Sequence, residues 1–192
     1  MRTIRRISLA LLAVLAIATP ALAQADRFSF NAAVGPSFGN VGTTFSSMAG
    51  LDFRVNDRTA IVGELGVLPH APFRDAAIVA PAAESALRVN AYHWNGNVRV
   101  RPFETARLEP YVTAGLGSFR AETVVGERLG SATRIEERRT MTDLATNVGA
   151  GVVYRLKDWV GIGADYRIFF VHRDGATPKV NRFTAGLRLS LK

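Results

Sequence analysis

Three histidines are the side chains of this chain best suited to acid–base or nucleophilic chemistry. A hydrolase would need one of them beside a nucleophile and an orienting carboxylate. His172 lies two residues before Asp174 and His70 opens a long connection, but neither is followed by a closely spaced serine. His93 has no acidic or histidine companion at metal-ligand spacing. The sequence therefore predicts no catalytic residue, no metal site and no cofactor.

Charged residues that alternate with apolar ones form the other candidate site. They are Asp52, Arg54, Glu64, Arg99, Arg101, Asp165, Arg167 and Arg188. Burying such charges singly would be very costly unless they were paired or hydrated. We expect a salt-bridged, hydrated network in a protein interior. A gate or a narrow ion path is the alternative.

The elements that carry these charges alternate with a period of two, which is typical of β-strands with one apolar face. The last segment, 181–192, is the clearest: Phe183, Ala185, Leu187, Leu189 and Leu191 share one face. Seven further segments show a similar pattern. The predicted strands are 27–38, 47–55, 60–68, 88–101, 111–120, 144–156, 160–171 and 181–192.

Short and long connections alternate between these strands. Short polar turns are expected at 56–59, 102–110 and 157–159, and long segments at 39–46, 69–87, 121–143 and 172–180. The third long segment stays strand-like at 123–125 and 133–135, so it is expected to extend the sheet. Eight strands, three turns and four loops predict an all-β, antiparallel up-and-down transmembrane β-barrel with short periplasmic turns and longer extracellular loops.

The register of one hairpin can also be predicted. If Arg155 faces Gly161, then Gly151 faces Asp165 and Gly149 faces Arg167. Small inward residues would then accommodate long charged ones in a narrow lumen.

The N-terminus has the anatomy of a secretion signal. Arg2, Arg5 and Arg6 precede an apolar run at 7–18, which is short of the roughly 20 residues that span a bilayer as a helix. We predict a cleaved signal peptide at 1–23 and a barrel domain at 24–192.

The net charge of the predicted mature chain is modest. Cleavage of the signal peptide removes its three arginines, which lowers the net charge from +8 to 21 minus 16, or +5. The sequence has no contiguous basic stripe interleaved with aromatic residues, so a nucleic-acid partner is not predicted.

The closing strand, the signal and the glycine-rich YVTAGLGSF segment at 111–119 resemble the outer-membrane β-barrel family, which includes outer membrane protein A-like and X-like barrels. The resemblance implies localisation in the outer membrane, contact with its lipid and lipopolysaccharide, and function as a monomer. It also implies an assembly signal read by the barrel-assembly machinery, carried here by Thr184, Gly186, Leu189 and Leu191. Lys192 departs from the aromatic residue that ends many members.

Aromatic residues are placed as in an interfacial girdle. Phe53, Tyr154 and Trp159 are expected near the periplasmic ends of strands. The opposite rim is expected to carry Phe38, Trp94, Phe119, Phe170 and Phe183.

Three functions follow from this interpretation. The leading one is a non-enzymatic barrel with a filled lumen and a structural or surface-interaction role through its extracellular loops. The alternatives are a narrow porin-like channel for small solutes and a lipid-modifying barrel enzyme.

The extracellular loops offer two candidate contact regions. The run 136–139 mixes two glutamates and two arginines, which suits lipopolysaccharide phosphates or another cell's surface, although a solvated loop with local ion pairs is the simpler explanation. Phe73 and Ile78 of the second loop offer apolar contacts for an unknown extracellular ligand.

Overall fold

The computed structural model describes residues 27–40, 42–69, 88–103, 105, 107–129, 133–173, 175 and 177–191. Side chains are described at these positions except 88–89, 123–129 and 133–139. The predicted signal peptide, most of the second loop with His70, Phe73 and Ile78, and also Asp174 and Lys192 lie outside the described residues. Among the described residues, no helix has the length and apolar character needed to cross a membrane.

Eight β-strands make up the fold. They are β1 (Phe28–Gly39), β2 (Thr44–Arg54), β3 (Thr59–Leu68), β4 (Arg88–Val100), β5 (Leu108–Leu129), β6 (Thr133–Lys157), β7 (Val160–His172) and β8 (Lys179–Ser190). Each strand pairs antiparallel with its neighbours in the chain, and β1 also pairs with β8, so the sheet closes into a barrel. The predicted fold class is confirmed. Closure pairs the edges that an open sheet would leave exposed.

The alternation of residue types determines which side chains enter the barrel. On β3, Ala60, Val62, Glu64 and Leu68 are buried, whereas Ile61 and Leu65 are more than half exposed on the outer surface. The other strands follow the same rule. The outer surface is therefore apolar and the lumen mostly polar.

The register of the β6–β7 hairpin agrees with the prediction. Arg155 is paired with Gly161, Gly151 with Asp165 and Gly149 with Arg167. A Cβ on Gly149 would lie 3.0 Å from Cγ of Arg167 and would collide with the backbone carbonyl of Tyr166. Glycine is needed here because the backbone of β7 and the Arg167 side chain leave no room for a Cβ.

Two of the long connections contain paired strand residues, the first against expectation and the third as predicted. β2 begins at Thr44, so that only 40–43 separate it from β1. Pairing continues there because Ser37 donates a hydrogen bond to Ser46 (3.0 Å), and Ser46 donates one to the carbonyl of Gly35 (2.9 Å). The third long segment is almost entirely strand, since β5 and β6 pair as far as Leu129 and Thr133. This confirms the predicted extension of the sheet.

We call the end of the barrel that carries the connections 55–58, 101–107 and 158–159 the turn end, and the opposite end the loop end. β1 starts and β8 finishes at the turn end. The hairpin of β5 and β6 projects past the loop end, because β4 pairs with β5 only up to Val124 and β7 pairs with β6 only from Leu144.

Candidate functional site

The buried charged and apolar side chains of the lumen form three layers. Each layer consists of inward-facing residues at a similar height on different strands. From the turn end they are the turn-end cluster (Asp52, Arg99, Arg101, Glu109 and Arg188), the central cluster (Glu64, Asp165, Arg167 and Arg182) and the loop-end cap (Leu68, Ala91, Phe119, Ala145, Phe169, Val171 and Val180). All of these residues are buried.

Glu64 is the centre of the central cluster. Its Oε2 accepts a hydrogen bond from Nη1 of Arg167 (2.8 Å), and its Oε1 forms an ion pair with Nη2 of Arg182 (2.7 Å). Asp165 Oδ2 accepts hydrogen bonds from Arg167 Nη2 (3.3 Å) and from the hydroxyl of Tyr111 (3.0 Å). Two carboxylates and two guanidiniums thus balance in charge, as buried ions require.

The turn-end cluster has more arginines than carboxylates. Glu109 Oε2 faces Nη1 of Arg188 (3.1 Å) and Nη1 of Arg101 (3.5 Å). Its Oε1 faces Nε of Arg155 (3.0 Å), whose side chain is one-third exposed at the mouth of the barrel. Asp52 forms ion pairs with Arg99 and with Arg188 Nη2 (3.5 Å), and it accepts a hydrogen bond from Asn31 (2.6 Å).

Aromatic rings join the central cluster to the loop-end cap. The Arg182 guanidinium lies 5.0 Å from the ring centre of Phe169, and its Nη1 donates to Nε2 of His93 (3.0 Å). His93 also stacks on Phe119, with ring centres 6.5 Å apart. Because Nε2 accepts a hydrogen bond from arginine, it carries no proton itself, and His93 is neutral in this arrangement.

Seven of the eight charged residues singled out in the sequence lie inside the barrel and share these contacts. Arg54 differs, since it is half-buried at the turn end of β2. The network also includes Arg182, Glu109 and Tyr111. Arg182 follows the same alternation as Arg188 and could have been included. Glu109 falls in the turn predicted at 102–110, but β5 begins at Leu108.

The two histidines in the described residues do not form a catalytic arrangement with a nucleophile and a carboxylate. Both ring nitrogens of His93 face lumen side chains, since Nε2 accepts from Arg182 and Nδ1 lies 2.7 Å from the side-chain amide of Asn95. His172 Nε2 and the Thr146 hydroxyl are 2.9 Å apart on the exposed surface. No group of three or more potential metal ligands occurs in the described part of the chain.

The outer face carries the aromatic residues, with one correction. Tyr154, Trp159, Trp94 and Phe183 are exposed, Phe38 is exposed as well, and Phe53 and Phe170 are half-buried. Phe119 is 3% exposed and belongs to the loop-end cap, so its expected place on the rim is wrong. It lies an odd number of positions from the outward residues Leu116 and Ser118, which turns its ring inward.

Residues of the predicted assembly signal occupy both faces of the closing strand. Thr184 is fully buried and Gly186 faces the lumen, whereas Leu189 and Leu191 are exposed outside. Leu191 follows the end of β8, and its N–H donates to the carbonyl of Phe28 (2.9 Å).

A closed eight-stranded sheet with an apolar outer surface and an ion-paired interior defines a small transmembrane β-barrel. The chain belongs to the outer membrane protein beta-barrel domain family, whose model matches residues 9–190. It is an outer-membrane protein, with the turn end on the periplasmic side. No curated protein matches the chain.

Solved structures with a similar fold include other outer-membrane proteins. Neisserial surface protein A has a TM-score of 0.59 at 19% identity, with 85% of this chain and 96% of that chain covered. A major outer membrane protein from Thermus thermophilus has a TM-score of 0.63 at 10% identity, covering 85% and 98%. Ail of Yersinia pestis, in complex with the heparin analogue sucrose octasulfate, has a TM-score of 0.50 at 16% identity, covering 85% and 97%. At these identities the similarity concerns the fold.

Proposed function

We propose that this chain is a non-enzymatic barrel with a closed lumen, which acts through its extracellular connections. The order of layers in the lumen is the observation that supports the proposal. A hydrated ion entering from outside would first meet the loop-end cap, where Phe119 and Phe169 are 3% and 1% exposed. It would then have to separate Glu64 from Arg167 and Arg182. Both steps are costly, because one strips water from the ion and the other breaks a buried ion pair.

Recording in planar bilayers tests the closed lumen. Folded protein in potassium chloride is expected to give no steady single-channel steps, in contrast to a general porin added to the same membrane. Steady steps of uniform size would favour the narrow porin-like channel instead.

The proposal also excludes lipid-modifying chemistry. His93 is enclosed in the lumen, and the His172–Thr146 contact lacks an orienting carboxylate in the described residues. Lipid A from cells with and without the protein is expected to have the same mass spectrum. A new lipid A species that depends on the protein would contradict this part of the proposal.

Among the extracellular connections, the β5–β6 hairpin is the best candidate for contact with a partner. It projects beyond every other strand, and its backbone pairing holds residues 133–139 in an extended sheet edge. Glu136, Glu137, Arg138 and Arg139 lie on this edge. Arginine binds phosphate with two parallel hydrogen bonds, so we propose lipopolysaccharide phosphates as the partner.

Two matched double variants test this partner with purified, immobilised lipopolysaccharide as the probe. Arg138→Gln with Arg139→Gln should weaken binding and reduce its dependence on salt. Glu136→Gln with Glu137→Gln should leave binding unchanged or strengthen it. Equal binding by both double variants would contradict phosphate recognition by this edge.

A further inference from the structure

A small cavity lies in the lumen between the turn-end and central clusters. Its volume is about 40 Å3, enough for one small ion or a few waters. It exists because Gly163 and Gly186 are paired at inward positions of β7 and β8, next to Ala33 of β1. These residues leave this part of the inner wall without long side chains, and three neighbouring arginines contribute to the lining.

The cavity is lined by more cations than anions. Arg99, Arg167 and Arg188 contribute to its wall, together with a single carboxylate, that of Asp165. Asp165 is already shared, since it contacts Arg167 (3.3 Å) and Arg182 (3.7 Å). The local charge around the cavity is therefore positive.

The whole lumen has the same imbalance. Among the described residues, five arginines are buried (Arg99, Arg101, Arg167, Arg182 and Arg188) against four carboxylates (Asp52, Glu64, Glu109 and Asp165), which leaves an excess of one positive charge. Arg155, which is paired with Glu109 at the mouth, increases this excess. The neutral His93 does not reduce it. An uncompensated charge in a barrel interior is costly to bury.

Four residues that line the cavity also carry hydrogen-bond donors without protein partners. The Nε atoms of Arg99, Arg167 and Arg188 and the hydroxyl of Thr184 make no hydrogen bond to protein. All four side chains are more than nine-tenths buried. Water could satisfy these donors but would leave the charge in place, whereas a monovalent anion satisfies the donors and neutralises the charge.

We propose that this cavity is a binding site for a small monovalent inorganic anion such as chloride. The anion lies among the guanidiniums of Arg99, Arg167 and Arg188, with the Thr184 hydroxyl as a further donor. Tyr111 and Asn31, which also line the cavity, already donate to Asp165 and Asp52 and hold those carboxylates in place. Binding to the folded barrel alone stabilises it in proportion to anion concentration until the site is saturated.

Urea unfolding in detergent micelles tests the proposal with chloride as the probe and gluconate as the comparison, at equal ionic strength. The urea midpoint of the native sequence should rise with chloride and then level off. Bromide should replace chloride and give an anomalous diffraction peak in the cavity of crystallised protein. Equal midpoints in chloride and gluconate, or no bromide peak, would overturn the proposal.

Two glycine variants show whether the cavity is responsible. Gly163→Ala adds a methyl group to the cavity wall, where it would meet Val152 O at 3.2 Å and Val153 Cγ2 at 3.3 Å, so a small adjustment accommodates it. Gly96→Ala is the matched control, because its methyl group would project outside with nothing within 4 Å. The chloride effect should shrink in the first variant and persist in the second. An unchanged effect in Gly163→Ala would rule out this cavity.

A second pair keeps the test decisive if Gly163→Ala does not fold. Thr184→Val removes the unpartnered hydroxyl at nearly constant volume, whereas Thr184→Ser retains it. The valine variant should need a higher chloride concentration for half of the stabilisation, and the serine variant should resemble the native sequence. Identical chloride dependence in both would contradict a role for this donor. Refolding from urea avoids any effect on cellular assembly.

Discussion

Glu64 is the carboxylate on which the central cluster depends, because it faces two guanidiniums that are each 1% exposed. Glu64→Gln would leave Arg167 and Arg182 with Asp165 alone, so that one buried positive charge loses its partner. We expect the free energy of unfolding to fall by about 3 to 5 kcal/mol. Urea unfolding in detergent, followed by tryptophan fluorescence, measures this change.

The control for this prediction is an ion pair on the outer surface. Glu122 accepts a hydrogen bond from Arg120 (3.1 Å), whose side chain is about half exposed. Glu122→Gln should change the free energy of unfolding by less than about 1 kcal/mol, because exposed pairs contribute little. Similar losses in the two variants would mean that the lumen is hydrated enough to screen its charges.

Alternation in the sequence located most inward charges but could not choose their partners. The face of each charge follows from the period of two, which is a local property. Glu64 and Arg167, in contrast, are 103 residues apart and meet across the lumen. Which carboxylate an arginine reaches depends on strand stagger and on side-chain length around the whole circumference. The sequence contains no local signal for either.

At the scale of elements, the β5–β6 hairpin should be separable from the barrel. Residues 123–129 and 133–139 pair mainly with each other, and β4 contributes only the partners of Thr123 and Val124. Replacing 123–139 by Asn-Gly would join Glu122 to Thr140, which are already paired, through a favoured two-residue turn. The free energy of unfolding should change by less than about 1 kcal/mol, since the hairpin adds few contacts to the rest of the barrel.

Gel mobility of unboiled protein samples provides a second measurement for the shortened variant. A closed barrel resists detergent until it is heated, so the variant should still migrate as a compact form that converts to the unfolded form on boiling. Loss of the compact form would show that the hairpin helps to close the barrel. Lower binding to lipopolysaccharide with the compact form retained would agree with a role in recognition only.

The ends of strands were harder to predict than their existence. Apolar alternation in the sequence ends near Arg120, yet backbone pairing continues to Leu129. Pairing needs no apolar face once two strands are already aligned. At the other end of β5, Pro110 suggested a turn, but proline is tolerated near the start of a strand, where its missing N–H matters least.

The whole molecule inverts the usual arrangement of a soluble domain. Leu65, Leu116 and Leu187 are more than half exposed on the outside, whereas arginines fill the centre. There is no cysteine to form a disulfide. Stability therefore comes from a hydrogen-bonded sheet that closes on itself around the barrel, and from a bilayer that covers the apolar surface.

The two tryptophans report how this surface sits in the bilayer. Trp94 is six residues from Val100 at the turn end of β4, roughly 15 Å along the membrane normal for a tilted strand. This places it near the middle of an apolar band about 25 Å tall, and not at the extracellular rim expected from the sequence. Trp159 is exposed next to the start of β7 and should lie at the periplasmic interface. In Trp159→Phe, the fluorescence of Trp94 should be quenched most by lipids brominated deep in the acyl chain. In Trp94→Phe, Trp159 should respond most to bromines near the headgroup. Equal depths would contradict this position of the barrel, because the strands would then have to lie differently relative to the membrane.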